Sequence, residues 1–405
     1  MAFSLAAFLR RTPQRSICAY LEACLPDALE GIALDRSSAE FHRSISAILK
    51  DAPQDVATRV YSDFEAVQQL ADEAGRSAMR SVVATSPDFL NEFDLLEDPR
   101  ACGLWLLGIS RERFENAQSA AYANRTYQGR SWAGYRIDGM NAAPFQLTED
   151  ARARFEQEVR AIFQSDAGGG RCLVEWFDRV LEPGASDGMR RCVQATIYRE
   201  DAPRSELRFA EADRVESIIH RPVAEAAVVF DPKDGVLDVC ARGGKKVLAR
   251  VAEAFCDALA DAESQLTAVE LRRLDLAGLA RRPELQIRST DGVEAADVEH
   301  LRFSVLNGDG LMVVAESRVA SRSRDGRDLY RQMDESFGLD RRLGWQVSGA
   351  KIRVTFRPKP GSKRPKRVLV ELNAPNRTNL RDQTEEHRFI ANELLERWGL
   401  YEARR

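Results

Sequence analysis

The sequence predicts an α+β multidomain protein: an α-helical N-terminal half, then mixed α/β modules with antiparallel hairpins and a C-terminal β-ribbon–helix unit. Its 405 residues are enough for two to four domains. The spacing of apolar residues changes from a helical period to strict alternation after the glycines at 168–170. A basic run marks the last part of the chain. We therefore expect a helical domain at 1–167, an α+β domain at 171–265, a β-rich domain at 266–345 and a basic hairpin–helix module at 346–405.

Helix signals fill the N-terminal half. Pro13 follows Thr12, an arrangement typical of the start of a helix. Pro53 precedes a run of regularly spaced apolar residues, so a longer helix is expected to continue to about Gly75. Further helices are predicted at 98–108, 110–124 and 149–164. Together these elements would form one predominantly α-helical domain.

Alternating apolar and polar residues predict strands in the middle of the chain. They lie at 172–179, 191–199, part of 218–230, and 236–241. The tetrapeptide 232–235, Pro-Lys-Asp-Gly, separates two β-branched runs and predicts a hairpin turn. A helix should follow at 245–259. More strands are expected within 285–320, with turns at 291–292 and 307–310, and a short helix near 327–337.

Composition excludes several classes of protein. No apolar run approaches the ~18 residues that a membrane-spanning helix needs, so we expect no membrane segment. The formal net charge of -4 argues against a protein that coats nucleic acid with its whole surface. Seven cysteines without a CxxC pair predict reduced, packed thiols and a cytoplasmic protein.

The net charge hides a strong asymmetry along the chain. Residues 351–405 contain 14 Lys+Arg and 7 Asp+Glu, a net charge of +7, which leaves -11 on residues 1–350. Eight basic residues and no acidic one lie between Lys351 and Arg367. The basic part can neutralise phosphates, whereas the acidic N-terminal half is expected to contact a protein partner.

The basic C-terminal module is predicted to be a β-ribbon beside a helix. Residues 350–357 alternate, with Ile352, Val354 and Phe356 on one face and basic residues on the other. After a loop at 358–365, the chain returns as a second strand near 367–372. A helix at 380–398 would follow, with Asn379 as its N-cap.

We predict that this module binds DNA or RNA, with phosphate contacts supplying affinity and the helix reaching base edges. The candidate binding residues are Lys351, Arg353, Arg357, Lys359, Lys363, Arg364, Lys366, Arg367, Arg377, Arg381, His387 and Arg388. The alternative is a solvated hairpin with an ordinary packed helix. Two observations favour that alternative: the helix also carries acidic residues, and the element order differs from that of a winged helix.

A strand-to-helix turn carries a second candidate phosphate site, formed by Arg242, Gly243, Gly244, Lys245 and Lys246. Backbone amides at a helix N-terminus, backed by lysines, can hold an anion. The spacing matches neither a P-loop nor a dinucleotide-binding motif. The competing interpretation is a tight turn that needs glycine for its backbone geometry.

Residues 122–136 interleave aromatic residues with arginines and contain no acidic residue. Tyr127, Arg130, Trp132 and Tyr135 are candidates for stacking on exposed bases. Equally, such residues commonly fasten a loop to a domain interface through stacking and cation–π contacts. Both interpretations require the segment to be a loop.

The sequence identifies no catalytic centre, metal site or cofactor. None of the four histidines has a His or Cys neighbour at metal-ligand spacing. The leading hypothesis is a non-catalytic nucleic-acid-binding protein of bacterial type, acting as a regulator or as a subunit of a nucleic-acid-processing or antiviral (phage-defence) assembly. One alternative is a Mg²⁺-dependent nuclease or other phosphate-handling enzyme centred on 225–246, using Glu225, Asp231, Asp238 and Lys245. The other is a protein-interaction scaffold.

Overall fold

The fold is known from a computed structural model. It describes residues 3–25, 38–126, 132–139, 147–167, 170–181, 190–209, 214–259, 264–269, 272–305, 312–316, 328–337, 345–358, 365–380 and 383–402. The chain divides into two compact units: residues 1–181 with 190–269, and residues 182–189 with 270–405. The α+β multidomain class is confirmed by helices and antiparallel sheets in these units. The division into four domains stays a prediction.

Unit 1 begins with a layer of eight helices in the described residues. They are α1 (Leu5–Arg11), α2 (Gln14–Cys24), α3 (Ser38–Asp51), α4 (Gln54–Gln69), α5 (Glu73–Val83), α6 (Pro87–Asp94), α7 (Pro99–Ile109) and α8 (Arg111–Thr126). Their apolar faces meet in one core that contains Phe8, Phe41 and Phe64. The helical spacing read from the sequence is thus explained by burial of one face of each helix.

A buried ionic group joins three of these helices. The Asp63 carboxylate on α4 accepts hydrogen bonds from Arg111 at 2.9 and 2.6 Å and from the Tyr20 hydroxyl of α2. Asp63 is almost completely buried. Burial and the hydrogen bond to Asp63 raise the pKa of Tyr20, so its hydroxyl stays protonated and donates.

The predicted end of α4 at Gly75 is wrong, because α4 ends at Gln69 and Gly75 lies in the first turn of α5. Asp72 caps α5, and its carboxylate accepts from the Gly75 amide at 2.7 Å. A Cβ at Gly75 would lie 2.2 Å from the Leu70 carbonyl oxygen. Glycine is needed here for close approach of two backbones.

The rest of unit 1 is a six-stranded antiparallel sheet with two helices. The strands are β1 (Trp132–Asp138), β2 (Cys172–Leu181), β3 (Arg190–Glu200), β6 (Val223–Asp231), β7 (Val236–Cys240) and β8 (Gln265–Ala268), in the order β2-β3-β6-β7-β1-β8. Helices α9 (Glu149–Ala167) and α10 (Gly244–Leu259) pack on one face around Phe155, Phe230 and Phe255. Helices α5 and α8 contact the other face. The hairpin predicted at 232–235 is present between β6 and β7.

Strand β1 was not expected from the sequence, which predicts a loop through residue 136. It pairs with β7 on one side and with β8 on the other. Tyr135 and Ile137 alternate into the core of the sheet. Such pairing joins residues about a hundred positions apart, so local patterns give little indication of it.

Between β3 and β6, the chain forms a separate two-stranded hairpin. It consists of β4 (Arg204–Phe209) and β5 (Val215–His220), paired in antiparallel register from Arg204↔His220 to Phe209↔Val215. The side chains of β4 are all exposed. We call this element the hairpin arm.

Unit 2 is built on a five-stranded antiparallel sheet in the order β10-β9-β11-β12-β13. The strands are β9 (Val293–Val305), β10 (Met312–Glu316), β11 (Trp345–Phe356), β12 (Lys366–Asn373) and β13 (Arg377–Thr378). Helices α11 (Leu329–Phe337) and α12 (Glu385–Arg397), with short 3-10 turns at Ala277–Ala280 and Ser289–Asp291, complete the described part of the unit. Ile352, Val354 and Phe356 are buried, as the alternation in the sequence predicts.

Asn379 does not cap the C-terminal helix, which begins five residues later than predicted. Thr384 is the N-cap, and its hydroxyl accepts from the His387 amide. The Asn379 side chain instead accepts from the Glu371 amide and donates to the Leu369 carbonyl, each at 2.8 Å. These bonds extend the contacts on the edge of β12 that pairs with β13.

A membrane-spanning helix is not found in the part of the chain that the structure describes, because no helix there is both long and apolar enough.

Candidate nucleic-acid interface

The basic hairpin is one part of a larger sheet. Strand β11 pairs with β12 on one side and along most of its length with β9 on the other. The hydrophobic residues of β11 and β12 face the core of unit 2. Lys351 and Arg353 of β11 and Arg367 of β12 alternate with these residues and therefore lie on the opposite face, whereas Lys366 has the phase of Val368 and is exposed because it lies at the end of β12.

Two of the predicted binding residues on that face are already paired with carboxylates. Lys351 Nζ lies 2.7 Å from Glu371 Oε1 on β12. Arg353 forms an ion pair with Glu299 on β9. Since each cation is balanced by an adjacent anion, Lys351 and Arg353 add little net positive potential and are not suited to phosphate contact in this arrangement.

The positive charge is concentrated at the end of the hairpin where β11 leaves the sheet and β12 enters it. Arg357, Lys366 and Arg367 are exposed there. Arg357 is anchored at its base, because its amide donates to the Gly292 carbonyl at 2.8 Å and its guanidinium to Ser289 O at 3.3 Å. Cross-strand pairing sets Arg367 opposite Thr355 and Lys366 opposite Phe356. We call these three residues the basic hairpin end.

Four further candidates, Lys359, Lys363, Arg364 and Arg381, lie outside the described residues. The first three belong to the segment that connects β11 to β12 in the sequence. They stay predictions from composition.

His387 is buried and cannot reach a nucleic acid in this structure, so its predicted role is corrected. Its ring packs against Phe356 with 4.4 Å between centroids, and Nδ1 lies 2.8 Å from the Thr384 hydroxyl. His387 lies three, four and seven residues before the buried residues Ile390, Ala391 and Leu394, so it shares the buried face of α12. Arg388 is half-buried over the Phe389 ring, whereas Arg377 is exposed on β13.

The turn beside the hairpin end is held by a buried ion pair. Both Asp291 carboxylate oxygens accept from the Arg397 guanidinium, at 2.5 and 3.1 Å. Burial would raise the pKa of Asp291, but hydrogen bonds from Arg397 and from the Arg288 amide outweigh it and lower that pKa below its ordinary value. The carboxylate therefore stays ionised and connects α12 to the turn before β9.

On the exposed face of the sheet, His300 lies opposite Lys351 in the register of β9 and β11. Burial, together with the Lys351 cation, lowers the pKa of His300. His300 is therefore neutral near physiological pH and adds no positive charge to this face.

The strand-to-helix turn at Gly243 and Gly244 has the backbone geometry that glycine alone adopts easily. Their φ angles are 122° and 79°, and a Cβ on Gly243 would lie 2.5 Å from Val247 Cγ2. The turn interpretation therefore explains both glycines without a ligand. Arg242, Lys245 and Lys246 are exposed around the start of α10, so the candidate phosphate site stays a prediction.

The proposed base-stacking residues are not gathered in an exposed loop in the described structure. Tyr135 is buried in the sheet core, so it is not a stacking residue. Trp132 is half-buried against Ala123, Ala227 and Cys240. Tyr127 and Arg130 lie outside the described residues.

Two of the three carboxylates of the nuclease alternative, Asp231 and Glu225, have surroundings that explain them without a metal ion. Asp231 accepts from the Lys233 amide at 2.9 Å, as expected for a turn residue, and Arg190 lies 3.4 Å from it. Glu225 on β6 is partly buried, and burial together with the charge of Glu175 raises its pKa. No group of three or more His, Cys, Asp or Glu suited to a metal ion occurs among the described residues.

A polar layer between α8 and the sheet was missed by the sequence reasoning. The Ser119 hydroxyl lies 2.9 Å from the Tyr198 hydroxyl, next to buried Thr196 and Gln194 on β3. Burial raises the pKa of Tyr198 to about 12, so its phenol is neutral. In the sequence, this layer is indicated only by the alternation of polar with apolar residues along 194–198.

The sequence matches no protein-family model and no curated protein.

Proposed function

We propose that this protein binds nucleic acid through the basic hairpin end, as a non-catalytic regulator or as a subunit of a bacterial nucleic-acid-processing or phage-defence assembly. The observation that carries the proposal is the exposure of Arg357, Lys366 and Arg367 at one end of a rigid sheet. The sequence adds Lys359, Lys363 and Arg364 between them and no acidic residue from 351 to 367. A run of exposed cations without an acidic residue between them in the sequence is suited to contact with a phosphate backbone.

The proposed interface is narrower than the one predicted from sequence. Pairing with Glu371 and Glu299 removes Lys351 and Arg353, and burial removes His387. The three cations of the basic hairpin end favour phosphate contact over base recognition, because they lie on or beside strands and not on a helix that could enter a groove. We therefore expect weak sequence preference and a strong dependence of affinity on salt.

The test is binding of the full chain to a mixed-sequence duplex and to a single strand, measured by fluorescence anisotropy across a salt series. The variant replaces the three residues of the basic hairpin end by alanine: Arg357→Ala, Lys366→Ala and Arg367→Ala. Each lost phosphate contact lowers the slope of log affinity against log salt by about 0.9, so a loss of up to about three is expected. Affinity at low salt should fall at least roughly tenfold.

A matched control removes the same charge from exposed positions in unit 1: Arg11→Ala, Lys50→Ala and Arg250→Ala. This control should retain the affinity and the salt slope of the unmodified chain. Equal losses in both variants would mean that only the overall charge matters and would contradict a local interface. Absence of any binding by the unmodified chain would leave the scaffold alternative, and Mg²⁺-dependent degradation of the probe would favour the nuclease alternative.

A separate variant, Lys245→Ala with Lys246→Ala, tests the phosphate site predicted at the glycine turn.

A further inference from the structure

The hairpin arm presents one apolar face to solvent. On that face β4 contributes Leu207 and Phe209, which are 72% and 78% exposed. Strand β5 contributes Val215 and Ile219, which are 57% and 75% exposed. The antiparallel register sets Phe209 opposite Val215, so the four side chains form one continuous surface. Large apolar side chains clustered in this way usually mark a contact site.

Within β4 and β5, the part of the arm that the structure describes, this face carries no charged side chain. Its other two members, Ser205 and Ser217, hydrogen-bond to each other across the two strands. The charged residues of the arm lie on the opposite face, where Arg208 pairs with Glu216 at 2.9 Å and His220 Nδ1 lies 3.7 Å from Glu206. The surface that fits the apolar face must itself be apolar and uncharged, since a charge buried against it would be unpaired.

We propose that this face binds its own counterpart on a second copy of the chain, so that two hairpin arms stack face to face across a two-fold axis. An identical arm offers the required uncharged surface, and a two-fold axis brings the same patch of each copy into contact. An isolated two-stranded hairpin is marginal in water, whereas stacking supplies the second layer that a sheet needs. The ion pairs on the outer faces would remain in solvent.

The available area is sufficient for such a contact. A fully accessible Phe side chain exposes roughly 150–250 Å² and aliphatic side chains expose less, so the four residues at these exposures present at most about 500 Å² per copy. Two copies would bury up to about 1,000 Å², the lower limit for a specific protein interface. We therefore expect a weak association, populated at the upper end of the micromolar range. It does not depend on nucleic-acid binding, because it uses different residues in a different unit.

The test is the mass of the full chain by sedimentation velocity over a micromolar concentration series. The unmodified protein should be dimeric at the upper end of the series. The double variant Leu207→Glu with Ile219→Glu should be monomeric there, with a dissociation constant raised by about a hundredfold or more, because it sets like charges against each other. The matched control, Leu95→Glu with Met312→Glu, alters two equally exposed apolar residues elsewhere and should remain dimeric.

A charge-complementation experiment shows that the variants are folded and that the faces meet. Leu207→Lys with Ile219→Lys should also be monomeric, and mixing it with the Glu variant should restore a dimer. A monomeric unmodified chain at every concentration would overturn the proposal. So would a dimer that survives the double Glu substitution, or a mixture of the two variants that stays monomeric.

Discussion

At the scale of the residue, burial decides what a charged side chain does in this protein. The Asp63 carboxylate accepts two hydrogen bonds from the Arg111 guanidinium, and the Asp94 carboxylate accepts two from the Arg80 guanidinium. Asp63 is buried among helices, whereas the Asp94 side chain is 42% exposed. Burial also distinguishes the basic residues of unit 2. Arg397 forms a buried ion pair with Asp291, whereas Arg367 is exposed to solvent.

Removal of the buried carboxylate should destabilise unit 1 strongly. We expect Asp63→Ala to lower the free energy of unfolding by about 2–3 kcal/mol, because it leaves the buried Tyr20 hydroxyl without its partner, whereas the Arg111 side chain is 42% exposed and can be hydrated. Asp94→Ala, the matched control, should cost no more than about 1 kcal/mol, since water replaces an exposed partner. Urea unfolding followed by circular dichroism measures both. Equal effects of the two substitutions would contradict a structural role for burial at Asp63.

At the scale of the element, the turn between β7 and α10 shows how a sequence motif can have a purely structural cause. Gly243 has a positive φ and leaves no room for a Cβ beside Val247. The turn joins a central strand to the helix that covers the sheet. Its backbone must reverse within a few residues, which glycine permits.

The Gly243→Ala substitution should therefore destabilise the protein whether or not an anion binds there. We expect a loss of about 1–3 kcal/mol in the free energy of unfolding, from backbone strain and the contact with Val247. Gly108→Ala is the control, because Gly108 lies in a helix with nothing within 4 Å of a Cβ. That substitution should be neutral or stabilise the protein by about 0.5–1 kcal/mol. A Gly243→Ala protein as stable as the unmodified chain in thermal unfolding would refute the turn interpretation.

At the scale of the whole molecule, the cysteines are distributed unevenly: all seven lie in unit 1, and most are packed inside it. All seven are free thiols; Cys24 and Cys172 are half-buried, and the other five are buried. Burial raises the pKa of the Cys102 thiol to about 11 and also raises that of Cys172. Since the thiolate is the reactive form, the folded protein should protect most of its thiols.

Thiol titration with Ellman's reagent checks this protection. In the native protein at mildly alkaline pH, we expect no more than two of the seven cysteines to react in the time that all seven need in guanidinium. The variant Cys24→Ser with Cys172→Ser should remove the fast-reacting fraction. Rapid reaction of five or more thiols in the native state would show that the cores open readily.

The sequence by itself determined the fold class, most helices and the location of the surplus positive charge. These features depend on local periods: the helical spacing in 1–126, the alternation at Ile352, Val354 and Phe356, and the run of cations that follows. The turn at 232–235 was also predicted, because its residue types encode the backbone reversal.

Only the tertiary structure decided which of those residues are available for function. Strand β1 forms because distant strands offer it partners on both sides. Lys351 and Arg353 lose their surplus charge because β12 and β9 bring Glu371 and Glu299 beside them, and His387 is buried because its face of α12 packs against Phe356 of β11. Periodicity places a side chain on a face, but only the packing of remote segments decides whether that face meets a carboxylate, a core or solvent.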